Sequence, residues 1–183
     1  MDPRLEPILL TTNANRAQFE GFCRALEPAE LSLPVPGDPW VVRDYIAHLA
    51  TIDLYVAQWF EAMADGVRWA PEASGGGPFS IDTWNEEQVR PRRDMPVDDI
   101  LAEGAVLRER LLATFPRFSA ETLESTFTFR DNTITFLRYL ELWTLHDPAH
   151  MQDMLKALPA RAADPGLRAW LESARLPEAV RPS

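Results

Sequence analysis

The sequence predicts an all-α fold, a four-helix bundle with long connections and a short C-terminal helix. Three observations support this prediction. Apolar residues recur at helical spacing over four long stretches, and no convincing stretch alternates apolar and polar residues as an exposed strand would. The length of 183 residues, with 46% hydrophobic and 25% charged residues, suits a globular chain that buries a core.

A proline-rich linker separates the first two predicted helices. The first covers roughly residues 4–26 and ends before Pro28, because proline cannot continue a helix. After LSLPVPGDP, Asp38 and Pro39 match an N-cap followed by proline at the first helical position. The second helix is therefore expected over roughly residues 39–64. Its apolar face is broad, which is typical of a helix at the centre of a bundle.

The middle of the chain is rich in loops. Residues 65–95 contain the glycines and prolines of a surface excursion, with one short helix expected at IDTWNEEQV. The third long helix begins near Pro96 and ends at Pro116. The segment TFTFR that follows is compatible with a short extended piece.

The fourth long helix is expected to begin at a cap, Asn132 or Thr133, and to run toward Leu158. A last short helix is expected at about residues 164–175, followed by a polar tail. The predicted organisation is a bundle at 1–160 and a short helix with a tail at 161–183.

Charge and composition exclude several classes of protein. A formal net charge of -10 repels phosphate backbones, so nucleic-acid binding is not expected. The sequence contains no apolar run long enough to span a membrane and no basic N-terminal segment before an apolar stretch, so we expect a cytoplasmic protein. The single cysteine, Cys23, excludes an intramolecular disulfide and is expected to be a small buried hydrophobic residue.

The three histidines form the candidate metal site. His146 and His150 are four residues apart, which places their Cβ atoms about 5–6 Å apart on one helix face. His48 lies on the apolar face of the second helix and points into the bundle. Imidazole is a good ligand for Zn²⁺ or Ni²⁺, and three such ligands leave a coordination position open. The alternative is that these are ordinary core histidines. Pro148 also kinks or breaks the helix between the pair, or Asp147 caps a new helix there.

Three segments carry a resemblance to a known family. They are PVPGDPWVVRDYIAHLATIDLYV, FSIDTWNEEQV and LWTLHDPAHMQDML. They resemble the DinB-like superfamily, and most closely the branch of the mycothiol-dependent maleylpyruvate isomerase N-terminal domain. The resemblance covers roughly residues 5–158. It implies a four-helix bundle with long crossover connections that binds a metal through His48, His146 and His150. The resemblance also shows two departures: Asp153 stands where many members have glutamine, and few residues follow the bundle.

The resemblance implies a thiol-using S-transferase or isomerase-like enzyme with a small-molecule substrate. The cofactors would be a divalent metal and a low-molecular-weight thiol such as mycothiol or bacillithiol. Asp153 and Gln152 are candidates for hydrogen bonds to a metal-bound water. Arg43, Arg90 and Arg93 are candidates for binding an anionic thiol cofactor, since guanidinium pairs with carboxylates.

Two other functions remain open at this stage. The same three ligands would serve a metal-dependent hydrolase, with bound water in place of the thiol. The chain could also be a non-catalytic helical binding module. A homodimer remains open in either case. Asp44 and Asp147 are candidates for orienting the imidazoles, although we expect Asp44 to face solvent.

Overall fold

The computed structural model describes residues 1–67, 69, 71, 78–129 and 131–174, and this part of the chain is mainly helical, as predicted. The helices are α1 (Leu5–Arg24), α2 (Pro28–Leu31), α3 (Val42–Ala64), α4 (Ile81–Val89), α5 (Val97–Leu112), α6 (Ala120–Glu124), α7 (Phe136–Trp143), α8 (His146–Leu155), α9 (Pro159–Ala162) and α10 (Pro165–Ser173). Two short strands, β1 (Thr126–Phe129) and β2 (Asn132–Thr135), lie between α6 and α7.

The four-helix bundle consists of α1, α3, α5 and the consecutive pair α7–α8, with α3 packed closely on α5. Its core has two apolar clusters, one at each end. The first includes Phe19, Leu49, Leu101 and Met151; the second includes Ile8, Phe60, Leu111 and Trp143. Between these clusters lies a layer of four buried charged residues, one from each helix: Arg16, Asp53, Arg108 and Asp147.

The predicted start of the fourth long helix is wrong. Asn132 and Thr133 belong to β2, which pairs antiparallel with β1 in a hairpin. Thr135 caps α7 instead, its side chain accepting a hydrogen bond from the backbone N–H of Arg138 at 3.1 Å. Asp131, with a φ of 66°, occupies the left-handed conformation in the hairpin turn. The short extended piece expected at TFTFR is β1, and β2 adds a second strand to it. The last residue of TFTFR lies outside the described part of the chain.

The second long helix begins three residues later than predicted. The Asp38 carboxylate accepts a hydrogen bond from the backbone N–H of Trp40 at 2.9 Å and forms a turn before the helix. The helix starts at Val42, and Asp44 accepts the N–H of Val41 at 3.2 Å. The short helix predicted at IDTWNEEQV is present as α4.

The fourth long helix is broken, but the predicted position between His146 and His150 is wrong, because α8 runs through Pro148 and the break precedes His146. The structure places α7 up to Trp143, a turn at residues 144–145, and then α8 from His146. Asp147 is therefore inside α8 and does not cap it. In this arrangement both histidines of the HxxxH pair lie on the same helix.

The C-terminal helices pack on the bundle. Arg161 in α9 donates hydrogen bonds to Glu30 at 2.8 and 2.9 Å. Leu171 in α10 is buried in the first apolar cluster. Cys23 is buried in that cluster as well, and burial raises the pKa of its thiol. Among the described helices, none is both long and apolar enough to cross a bilayer. The tail at 175–183 lies outside the described residues.

Gly104 is required by the close contact between α3 and α5. A Cβ atom at this position would lie 2.9 Å from both the Cα and the Cβ of Ala50. Because backbone would have to move, Gly104→Ala is expected to lower the free energy of unfolding by about 1–2 kcal/mol, net of the higher helix propensity of alanine. Chemical denaturation followed by circular dichroism measures this change.

Gly21 provides the matched control on α1. A Cβ there would meet nothing within 4 Å. Gly21→Ala is expected to stabilise the protein by up to about 1 kcal/mol, the ordinary helix-propensity gain. Equal effects of the two substitutions would contradict the packing argument.

Candidate metal centre

The three histidines come together between α3 and α8. One potential ligand atom from each of His48, His146 and His150 lies within 4.8 Å of the other two. Their ring centroids are 4.6–5.5 Å apart. Ligand nitrogens around a tetrahedral Zn²⁺ at about 2.1 Å stand about 3.4 Å from one another. A small inward movement of the three side chains would bring nitrogens within 4.8 Å of one another to that spacing.

The chemistry of these imidazoles fits a metal ion. Burial, together with the neighbouring His150, lowers the pKa of His48 to about 3. Burial likewise holds the pKa of His146 well below its usual 6.5. Both rings are therefore neutral at pH 7, which is the form that binds metals. The Nδ1 atoms of His48 and His146 are buried and make no hydrogen bond with the described residues, whereas the Nδ1 atom of His150 lies near the carboxylate of Asp153.

Neighbouring aromatic rings hold the imidazoles in place. Trp143 stacks on His146 with centroids 4.5 Å apart and an interplanar angle of 16°. Trp40 lies 5.2 Å from the His48 ring, and Tyr45 lies 5.6 Å from the His150 ring. Each histidine therefore has a ring partner that limits its rotation.

A network of buried ion pairs lies beside the histidines. Arg16 donates two hydrogen bonds of 2.9 Å to the carboxylate of Asp147, and Arg108 lies 3.3 Å from the same carboxylate. The Nε atom of Arg108 is 2.8 Å from Asp53. All four side chains are at most 8% exposed, and one comes from each helix of the bundle. Because Asp147 follows His146 directly, the network fixes the backbone at that histidine.

A large cavity opens on the three histidines. Its volume is about 1360 Å³, and its wall includes the three imidazoles and Asp153. Helix α4 contributes Asn85, which lies against His48. The remaining described wall is mixed: its aromatic residues are Trp40, Tyr45, Tyr55, Phe129, Tyr139 and Trp143, and its charged residues are Asp38, Asp82, Glu86 and Arg138.

The two predicted hydrogen-bonding residues have different positions. Asp153 lines the cavity, 3.3 Å from the Nδ1 atom of His150 and 2.7 Å from the ammonium of Lys156. The hydrogen bond with His150, and to a smaller extent the contact with Lys156, lowers the pKa of Asp153. Gln152 is exposed and is absent from the described cavity wall.

The predicted cofactor-binding arginines are not among the described residues of the cavity wall. Arg43 donates a hydrogen bond to the carbonyl of Met95. Arg93 pairs with Asp44 and with Glu86, each at 3.0 Å. Arg90 is exposed in the turn that follows α4. Their role in cofactor binding stays a prediction. Asp44 is buried, contrary to the expectation that it faces solvent.

Arg16, Arg108 and Asn15 were not predicted as residues of the site. A signal was present: Arg108 stands in the apolar series Leu101, Gly104, Leu111, so helical spacing alone turns it inward. Arg16 holds the corresponding position between Thr12 and Phe19. Buried arginine requires a partner, and the spacing identifies the buried residue but not that partner.

Comparison with known proteins gives the family. Residues 11–154 match the sequence profile of the DinB superfamily. This chain belongs to the DinB superfamily. The match contains all three histidines and all four residues of the buried ion-pair network.

Solved structures share the fold of this DinB-superfamily chain. The mycothiol-dependent maleylpyruvate isomerase superposes with a TM-score of 0.63 at 14% identity, and a histidine-to-alanine variant of that enzyme gives 0.63 at 13%. Each alignment covers 82% of this chain and 60% of the other. The chain thus spans 60% of the length of these proteins. No curated protein matches it.

Proposed function

We propose that this DinB-superfamily protein is a metal-dependent enzyme that transfers or isomerises small molecules with a low-molecular-weight thiol. The observation that carries the proposal is the triangle of three histidine nitrogens within 4.8 Å at the wall of a cavity. Three neutral ligands leave a position open for a reactant, as in catalytic rather than structural sites. Zn²⁺ or Ni²⁺ suits three imidazoles.

Three parts of the site would have separate roles in this reaction. His48, His146 and His150 would hold the ion, which supplies a Lewis acid that lowers the pKa of a bound thiol. Asp153 would keep His150 oriented through its carboxylate, in the way that acidic residues orient metal-binding imidazoles. The aromatic residues of the wall would contact the apolar part of a substrate.

The cavity is large enough for two reactants. A volume of about 1360 Å³ exceeds the roughly 300–1,000 Å³ typical of pockets for one drug-sized ligand. A thiol cofactor and an acceptor would fit together. The names of the structural neighbours, which specify mycothiol dependence, support a thiol as one of the two.

Thiol consumption tests this proposal. Metal-loaded protein is incubated with mycothiol, bacillithiol or glutathione and an electrophilic acceptor, and the loss of free thiol is followed. We expect at least one thiol to be consumed far above the rate with His48→Ala, because that substitution removes a proposed ligand. Arg117→Ala is the matched control, since Arg117 pairs with Asp65 on the surface and is absent from the described cavity wall.

Two outcomes would contradict the thiol chemistry. Thiol loss equal in the wild type and His48→Ala would exclude thiol transfer, and equal conversion of an isomerisable unsaturated acceptor in the presence of thiol would exclude isomerisation, which returns the thiol and consumes none. Hydrolysis of an ester or amide panel without any thiol would identify the metal-dependent hydrolase instead. Wild-type protein that loads with metal but is inactive in both assays would indicate a non-catalytic binding module.

A further inference from the structure

Two hydrogen bonds connect the C-terminal helix α10 to the helix break before His146. The indole N–H of Trp170 donates to the Oδ1 atom of Asn15 at 3.1 Å. The Nδ2 group of Asn15 donates to the carbonyl of Thr144 at 2.7 Å. Asn15 lies on α1 and is only 5% exposed, so water does not replace these contacts easily.

The carbonyl of Thr144 is the group that Pro148 leaves without a helical partner. In a continuous helix the N–H of residue 148 would donate to it, and proline has no N–H. Thr144 is buried, and a buried carbonyl without a partner is costly. Asn15 supplies the missing donor from another helix.

The orientation of the Asn15 amide is determined by its two partners. Indole is only a donor, so it requires the amide oxygen. A backbone carbonyl is only an acceptor, so it requires the amide NH₂ group. Trp170 therefore turns the NH₂ group toward Thr144, and the two hydrogen bonds support each other.

Arg16, the next residue of α1, contacts the chain on the other side of His146. Asn15 binds the backbone two residues before His146, and Arg16 binds Asp147, directly after it. His146 is the first residue of α8, where only a two-residue turn separates it from α7. A shift of this turn would move His146 relative to His48.

From these contacts we infer that Asn15 and Trp170 are positioning residues for His146, with Trp170 acting through Asn15. This inference rests on the proposed metal site, but not on the thiol chemistry. Helix α10 is thereby part of the support of the site and not only a cover for the bundle.

Binding of Co²⁺ tests the inference in the full chain. Affinity is measured by competition with a chromophoric chelator, and the visible absorption of bound Co²⁺ reports the ligand geometry. Asn15→Leu should weaken Co²⁺ binding by about 10–100-fold, the range for loss of an outer-shell partner, and should change the absorption spectrum. Trp170→Phe keeps an aromatic ring but no N–H, and should weaken binding by a smaller factor, about threefold or more.

The control separates positioning from loss of stability. Leu123→Ala removes a buried side chain of α6 in the second apolar cluster and should lower the thermal midpoint. Its Co²⁺ affinity and spectrum should stay those of the wild type. Wild-type affinity and spectrum in Asn15→Leu, or an equal loss in Leu123→Ala, would overturn the inference. Wild-type protein that binds no Co²⁺ would instead overturn the proposed metal site, and the inference with it.

Discussion

Replacing Asp147 by alanine is expected to lower the free energy of unfolding by about 3–5 kcal/mol. Asp147 accepts two hydrogen bonds of 2.9 Å from Arg16 and lies 3.3 Å from Arg108. The alanine variant would leave two buried guanidinium groups with Asp53 as the remaining carboxylate of the network. Guanidinium groups cannot lose their charge, so the variant must either bury an unpaired positive charge or open its interior to water. Denaturation of metal-free protein measures the change without any contribution of a metal.

Asp65 provides the control for this prediction. Asp65 pairs with Arg117 on the surface, where both side chains are more than 40% exposed. Asp65→Ala should change the free energy of unfolding by less than about 1 kcal/mol, as is usual for an exposed ion pair. A cost below about 1 kcal/mol for Asp147→Ala would show that the network does not hold the four helices together.

The second large effect is expected when metal is added. Zn²⁺ or Ni²⁺ that binds the folded protein alone should stabilise it by about 2.7 kcal/mol at a free concentration one hundred times the dissociation constant. His48→Ala should lose this stabilisation, because two histidines on one helix remain. Thermal unfolding with metal and with excess chelator gives the difference for both proteins.

Gln152→Ala is the control for the loss of a ligand, because Gln152 lies on the same helix as two histidines but is exposed. It should respond to metal as the wild type does. An equal rise of the thermal midpoint in wild type and His48→Ala would place the metal elsewhere on the protein.

Helical periodicity predicts most of the fold because the helices are long. The apolar face of α3 is broad enough that its place at the centre of the bundle could be read from the sequence. The hairpin at Thr126–Thr135 was missed in part, because each strand has only four residues. Asn132 and Thr133 are also common at helix N-termini, so the residues of β2 resembled a cap.

The candidate site could be predicted only in part. The spacing of His146 and His150 and the inward position of His48 predicted a cluster of histidines. A break in this helix was indicated by Pro148, but the donor that satisfies the carbonyl of Thr144, Asn15, lies 129 residues away. Contacts of this kind depend on how α1 packs on α8, and no local pattern contains that information.

Metal analysis of untagged protein, purified without chelators, tests the central claim most directly. The account predicts about one equivalent of a first-row divalent metal in the wild type and nearly none in His48→Ala, since three protein ligands hold the ion. Less than about a tenth of an equivalent in the wild type, even after incubation with Zn²⁺ or Ni²⁺, would contradict it. His48, His146 and His150 would then be buried core histidines and not a metal centre.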